Sequence, residues 1–130
     1  MKLLLDTHVF LWLNQQPEKL TDKILNLCGD SNNALYLSHV SPWEIQIKNQ
    51  LGKLDLNVPL SVMIETQQQE NGLKLLPITL PHIYALAELE NHHQDPFDRL
   101  LIAQAMVESM MLLTVDSKIA KYPIATAGLS

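Results

Sequence analysis

Four acidic residues in this 130-residue sequence, Asp6, Glu44, Asp98 and Asp116, stand directly after apolar runs or at the openings of helical patterns. Each has an ordinary explanation when read alone. Asp6 and Asp116 follow the runs from Lys2 to Leu5 and from Met111 to Val115, where a carboxylate caps the helix that comes next. Glu44 lies three residues after Ser41, across Pro42, which is the spacing of a capping box. Asp98 lies three after Asp95 in a first helical turn, where the helix dipole favours an acid. Together they say more, because strand ends and helix starts on one edge of a sheet bring their carboxylates close. Two such charges at 4 Å repel by about 4 kcal/mol at an effective dielectric of 20, so four of them need a cation. Oxygen-only ligands suit hard ions such as Mg²⁺ or Mn²⁺, which commonly serve phosphate chemistry. The chemistry expected of the four acids is therefore metal-dependent phosphodiester hydrolysis.

Two basic residues stand beside them. Arg99 follows Asp98, and Lys48 lies one helical turn after Glu44, so both are candidates to touch a substrate phosphate. Surface roles compete for both, since Glu44 and Lys48 also form an ordinary helix-face pair. His92, His93 and Asp95 have the composition of a metal cluster but sit in a polar loop beside a helix cap, with no thiol near to complete a zinc site. His8 either faces the cleft or packs as a ring on the surface, and Cys28 reads as core filler. Ser38 and Ser41 lack the Gly-x-Ser-x-Gly elbow of a nucleophilic hydrolase, and only four glycines are present, none in a phosphate loop. A dehalogenase-like phosphatase would need an acid two residues after Asp6, where this chain has His8.

The elements that must position these residues follow from apolar patterning. Lys2 to Leu5, Ala34 to Ser38, Leu73 to Pro77 and Met111 to Val115 are short apolar runs of buried-strand type. Val9 to Asn14 and Thr21 to Cys28, the latter capped by Thr21, read as helices. Further helices are expected from Ser41 to about Gly52, from Ser61 to Glu70 with Asn71 and Gly72 closing it, and from Pro81 to Leu89. Leu54, Leu56 and Val58 alternate with Asp55 and Asn57 in an extended pattern that ends at Pro59. The strongest helix runs from Asp95 and Pro96 to Met110, with so little polar face that it must be buried on most sides. Ser117 to Tyr122 is a short helix, and the closing residues from Ile124 onwards show no convincing final strand.

Strands that are apolar throughout, alternating with helices, describe a parallel sheet covered on both faces, an α/β fold of three layers. The length suits a single domain spanning residues 1–130. Hydrophobic residues make up 47% of the chain, charged ones 18%, and the net charge is −5, which excludes a disordered or basic tail protein. Nine Lys and Arg together are too few for the positive surface that captures nucleic acid nonspecifically, an argument about affinity and not about chemistry. The lone Cys28, the brief apolar start and the lack of any apolar run near 18 residues point to a cytoplasmic protein, not one inserted in a membrane.

The acids and their surroundings resemble a PIN-domain ribonuclease, specifically the VapC-type toxin of a bacterial toxin–antitoxin pair. The matching segments are Leu-Leu-Asp-Thr-His (4 to 8), Ser-Pro-Trp-Glu-Ile-Gln-Ile-Lys (41 to 48), Gly-Lys-Leu (52 to 54), Asp-Pro-Phe-Asp-Arg-Leu-Leu-Ile-Ala-Gln-Ala (95 to 105) and Leu-Thr-Val-Asp (113 to 116). The resemblance implies that Asp6, Glu44, Asp98 and Asp116 are the acidic metal-binding positions, and that Thr114 is the small hydroxyl residue near the last acid. It also implies Mg²⁺- or Mn²⁺-dependent endonucleolytic cleavage of RNA, a homodimer, and inhibition by an antitoxin that covers the site. The apolar segment Val9 to Leu13, with Trp12, suits either an antitoxin groove or core packing.

Overall fold

The computed structural model describes residues 1–128. Its strands are β1 (Lys2–Leu5), β2 (Ala34–Ser38), β3 (Lys74–Leu76), β4 (Met111–Leu113) and β5 (Thr126–Ala127). They form one parallel sheet in the order β3-β2-β1-β4-β5. The helices are α1 (Thr7–Gln15), α2 (Asp22–Gly29), α3 (Val40–Gln50), α4 (Leu60–Asn71), α5 (Leu80–Ala85) and α6 (Pro96–Glu108). Leu4 of β1 lies beside Tyr36 of β2 on one side and Leu112 of β4 on the other.

Apolar strands become a buried sheet because successive side chains point to opposite faces and both faces are covered. Leu3, Leu5, Leu35, Leu37 and Leu113 pack on one face against Val9 and Phe10 of α1, Ile24 and Cys28 of α2 and Met63 of α4. Leu4 and Leu112 pack on the other against Leu100, Leu101 and Ile102 of α6. The result is the expected three-layer α/β architecture. Residues Leu100 to Ala105 of α6 are buried without a break, as its missing polar face requires. Gly72, at φ +64°, closes α4 in the left-handed conformation that glycine adopts most readily.

Chain order makes a switch point at β1. The chain goes from β1 to β2 on one side and later returns to β4 on the other, so a crevice opens between the C-terminal ends of β1 and β4. Asp6 and Thr114 are the first residues past those ends.

Several elements depart from the sequence reading. A fifth strand exists: Thr126 and Ala127 pair with Leu112 and Leu113. Two residues are too few to show a period, so only the partner strand reveals them. The stretch Leu54 to Val58, read as extended and not counted among the strands, stays outside the sheet, with Leu54 and Leu56 packed against the core. The Gln15 side chain serves that stretch as a partner, accepting from the Asn57 N–H at 2.7 Å and donating to the Asp55 carbonyl at 3.3 Å. The helix expected up to Leu89 breaks after Ala85 into a 3₁₀ turn at Leu86–Glu88, and the one from Ser117 shrinks to a 3₁₀ turn at Ile119–Lys121.

Gly128 ties the end of the sheet to the crevice. At φ +115° it brings its backbone so near Thr114 that an added Cβ would stand 2.5 Å from the Thr114 carbonyl oxygen and 2.6 Å from Ile24 Cδ1. Gly128→Ala is therefore expected to destabilise the fold by roughly 2 kcal/mol, from strained backbone and overpacking. Urea unfolding checks it: an unchanged midpoint would show that the β5 segment does not sit against Thr114.

Candidate active site

Asp6 does two things at once. Its Oδ1 caps α1 by accepting the His8 N–H at 2.9 Å, and its Oδ2 accepts the Thr114 hydroxyl at 2.6 Å. Thr114, fully buried, also accepts the Asp116 N–H on its hydroxyl oxygen at 3.0 Å. One hydroxyl thus couples the acid after β1 to the acid after β4. The Asp6 N–H donates to the Leu113 carbonyl at 2.9 Å and continues the ladder into the site.

Glu44 enters from α3, though not through the expected capping box. The helix begins at Val40, whose N–H is taken by the Ser38 hydroxyl at 3.0 Å, and this places Ser41 inside the first turn. Ser41 and Thr7 hydroxyls meet at 2.9 Å, and Thr7 donates to Glu44 Oε1 at 2.9 Å. The other carboxylate oxygen of Glu44 pairs with Lys48. A buried acid, only 3% exposed, is thereby held in place from two sides.

Asp98 enters from α6. Asp95 caps this helix as the spacing predicts, its Oδ1 accepting the N–H groups of Phe97 at 2.8 Å and Asp98 at 3.2 Å. The reciprocal half of the box is absent, because the Asp95 N–H goes to His93 Nδ1 at 3.1 Å. The Asp98 carboxylate is left facing the crevice, with its Oδ2 3.0 Å from His93 Nε2. The same Nε2 lies 2.8 Å from Asp116 Oδ2, while Asp116 Oδ1 accepts the Lys118 N–H at 2.9 Å. One donor atom from each of His93, Asp98 and Asp116 falls within 4.8 Å of the others.

His93 is the residue that sequence reading set aside. Its neighbour His92 turns outward to Glu90 at 2.7 Å and Asp95 is occupied as a cap, so the three do not act as one cluster. The available signal was the spacing His93-x-Asp95, which lets a ring nitrogen accept the N–H of the cap residue. Arg99 turns to the loop before α6. Its Nη1 donates to the carbonyls of Glu90 at 3.0 Å and His93 at 3.2 Å, and its Nη2 reaches the Leu86 carbonyl at 3.5 Å. Adjacent helix residues point about 100° apart, so Arg99 holds the loop before α6 while Asp98 faces the acids. His8 is exposed, its ring tilted against Trp12 with centroids 5.9 Å apart.

The electrostatics follow depth. Burial pushes the Asp98 carboxyl up to about 7, with the charges of Asp6, Asp95 and Glu44 adding to the rise and His93 opposing it. Asp6 is also raised, chiefly by burial, against the bonds from Thr114 and His8. Asp116, nearer the rim, is lowered: its small burial cost is outweighed by bonds from the Lys118 N–H and His93. For Lys48, burial pulls downward but the Glu44 carboxylate wins, and the ammonium is held above its usual value. Among the described residues Asp6 and Asp98 have no lysine or arginine partner, and the chemistry of the site, hard carboxylate oxygens in a crevice, fits a divalent cation of the Mg²⁺ or Mn²⁺ kind.

Open clefts adjoin the acids on both sides. One, of about 370 Å³, is lined by Asp6, His8, Trp12 and Asp116. The other, of about 240 Å³, is lined by Thr7, His8, Glu44, Lys48 and Lys53 over an apolar floor of Leu11, Ile45 and Leu54. A larger cleft of about 540 Å³ lies at the opposite end of the sheet, around Met1, Met106 and Ile124, away from every one of the four acids.

The family model described as PIN domain matches residues 3–125. The chain belongs to the PIN-domain family. No curated protein matches it in sequence. Among solved structures, this PIN domain is similar to VapBC2 from Rickettsia felis bound to a DNA fragment from their promoter, with TM-score 0.74, 16% identity and 98% of each chain covered. It is similar also to VapBC-1 from nontypeable Haemophilus influenzae, with TM-score 0.67, 15% identity and 98% of each chain covered. A third likeness is to VapBC-5 of Mycobacterium tuberculosis, a member of the VapBC family of toxin–antitoxin systems, with TM-score 0.57, 16% identity and coverage of 97% and 95%. At such identities the likeness is one of fold.

The raised Asp98 gives a prediction with a definite sign. Its carboxyl binds a proton more tightly in the folded PIN domain than the ordinary value of 3.8 in the unfolded chain. The metal-free protein therefore loses stability as pH rises from about 4 to 7, on the order of 1 kcal/mol or more. Asp98→Asn removes that cost and is expected to raise the melting temperature in EDTA at pH 8 by roughly 3 °C or more. Added Mn²⁺ should stabilise the wild type and not the variant, reversing their order. Differential scanning calorimetry reads both effects; an Asn variant less stable in EDTA would contradict the crowding of charge at this site.

Proposed function

We propose that this PIN domain is a metal-dependent endoribonuclease acting as the toxin of a toxin–antitoxin pair. The observation that carries the reading is the gathering of Asp6, Glu44, Asp98 and Asp116 around one crevice, with burial and mutual charge pushing Asp98 up to about 7. Such a cluster is built to be completed by a cation. In this reading the four acids hold Mg²⁺ or Mn²⁺, which when bound polarises a phosphate and lowers the pKa of a water.

The chain's own residues supply the rest. Thr114 keeps Asp6 aimed into the crevice through its 2.6 Å bond, and Thr7 does the same for Glu44 at 2.9 Å. Lys48, held protonated beside Glu44 on the wall of the smaller cleft, is the cation placed to take a substrate phosphate. Arg99, tied to the loop carbonyls, supports the site from behind. The PIN family supports a nuclease, and the likeness to VapBC structures supports toxin work with a cognate antitoxin as partner. A homodimer belongs to the same reading: α5 exposes Leu80, Ile83 and Tyr84, at 59%, 45% and 66%, a surface that a second copy or a protein partner would cover. Among the described residues no helix is long and apolar enough to cross a membrane; cytoplasmic residence belongs to the proposal.

The test is direct. Purified protein free of any partner should cut total bacterial RNA at discrete positions with Mg²⁺ or Mn²⁺ and leave it intact in EDTA. Asp6→Asn and Asp98→Asn should each lower the cleavage rate at least about a hundredfold, the loss of a few kcal/mol of transition-state stabilisation, while circular dichroism reports an unchanged fold. Mapping of the new 5′ ends checks it. Full cleavage by either variant, or cleavage indifferent to EDTA, would sink the mechanism.

A further inference from the structure

The donor atoms of His93, Asp98 and Asp116 lie close enough together to suggest a mixed nitrogen and oxygen metal centre. The bond on the far side of the ring argues otherwise. His93 Nδ1 accepts the backbone N–H of Asp95 at 3.1 Å, and a nitrogen that accepts carries no proton. The single proton of the neutral ring is therefore on Nε2. That N–H points at Asp98 Oδ2, 3.0 Å away, and at Asp116 Oδ2, 2.8 Å away. A nitrogen bearing a proton has no lone pair to give a metal. Ligation would require the ring to surrender either the Asp95 bond or its last proton.

We propose that His93 is a positioning residue and not a ligand: its Nε2–H bridges the carboxylates of Asp98 and Asp116 and sets their spacing for the cation. The role rests on the metal-dependent reading of the site given above. The surroundings of the loop are built for it. The His93 backbone N–H donates to the Tyr122 hydroxyl at 2.9 Å, its carbonyl accepts from Arg99 at 3.2 Å, and the Tyr122 hydroxyl donates on to the Glu90 carbonyl at 2.7 Å. The imidazole, 10% exposed, is thus fixed from both ends of its residue. One donor between two acids draws together groups that would otherwise repel, and a neutral donor does so without placing a rival positive charge where the cation binds. Each oxygen it touches keeps a lone pair for coordination. Outer partners of this sort typically govern metal affinity by 10- to 100-fold.

The experiment uses the whole chain and Mn²⁺ as probe. Calorimetric titration should show His93→Ala binding Mn²⁺ roughly 10- to 100-fold more weakly than wild type. His93→Gln, whose amide N–H has about the same reach, should recover a large part of the loss. Pulsed electron paramagnetic resonance of the wild-type Mn²⁺ complex should show no directly coordinated ¹⁴N. Nitrogen-15 NMR should show the His93 Nε2–H retained when the protein is saturated with Mg²⁺. A coordinated ¹⁴N, or loss of that proton on metal binding, would make His93 a ligand and overturn the proposal. Equal Mn²⁺ affinity in wild type and His93→Ala would overturn it as well, while leaving the nuclease reading intact. A wild-type chain that binds neither Mn²⁺ nor Mg²⁺ would bring down both.

Discussion

Repulsion among carboxylates is the constraint on which this molecule is arranged. Asp6, Glu44, Asp98 and Asp116 converge on one end of the sheet, and water is largely kept from the deepest of them, with Asp6 and Glu44 at 2% and 3% exposure. Such charges would drift apart on a soft scaffold. Here the strands that carry Asp6 and Asp116 are neighbours in a parallel sheet, and the helices that carry Glu44 and Asp98 pack together on it. The two apolar layers meet the cost. Each fully buried Leu of β1 and β4 contributes about 2 kcal/mol, enough in sum to hold charges in a place they would not choose.

Hydroxyl groups do the finer placing. Thr114 donates to Asp6 and accepts from Asp116, Thr7 donates to Glu44, and Ser41 donates to Thr7. A neutral donor can orient a carboxylate without neutralising it, so the negative potential that calls for a cation survives the positioning. Lysine and arginine at the same posts would have spent that potential. Among the described residues the one direct ion pair to a lysine, Glu44 with Lys48, lies toward the open cleft.

Much of this was legible in the sequence for a physical reason. Buried parallel strands must be apolar on both faces, so β1, β2 and β4 announce themselves, and a polar residue directly after such a run is at the end of the sheet where ligands gather. Asp6 and Asp116 are read that way, and the capping pattern Asp95-Pro96 locates Asp98 to a first turn. What escaped depends on tertiary partners. The two residues of β5 have no period of their own and become a strand only beside β4. Ser41 with Glu44 fits a capping box in sequence, but Ser38 supplies the helix with a nearer acceptor, which frees Ser41 for Thr7. Arg99, adjacent to Asp98 in sequence, turns to the loop carbonyls, since neighbours on a helix do not share a face.

His93 shows how a loop without regular structure can be as determined as a strand. Its ring is oriented by the N–H of the residue that caps α6, so the start of that helix fixes both Asp98 and the group that faces it. Its backbone is fixed by Tyr122, which follows the 3₁₀ turn beyond Asp116, and by Arg99 on the helix itself. The acids on α6 and after β4 are therefore positioned relative to one another through side chains that carry no charge into the crevice. The segment from Glu90 to Tyr122 thus joins α6 and β4 around the loop that carries His93. Tyr122 is buried to 3% exposure with its hydroxyl spent on backbone groups of the loop, a use of a buried polar atom that makes sense when the loop's geometry is itself part of the site.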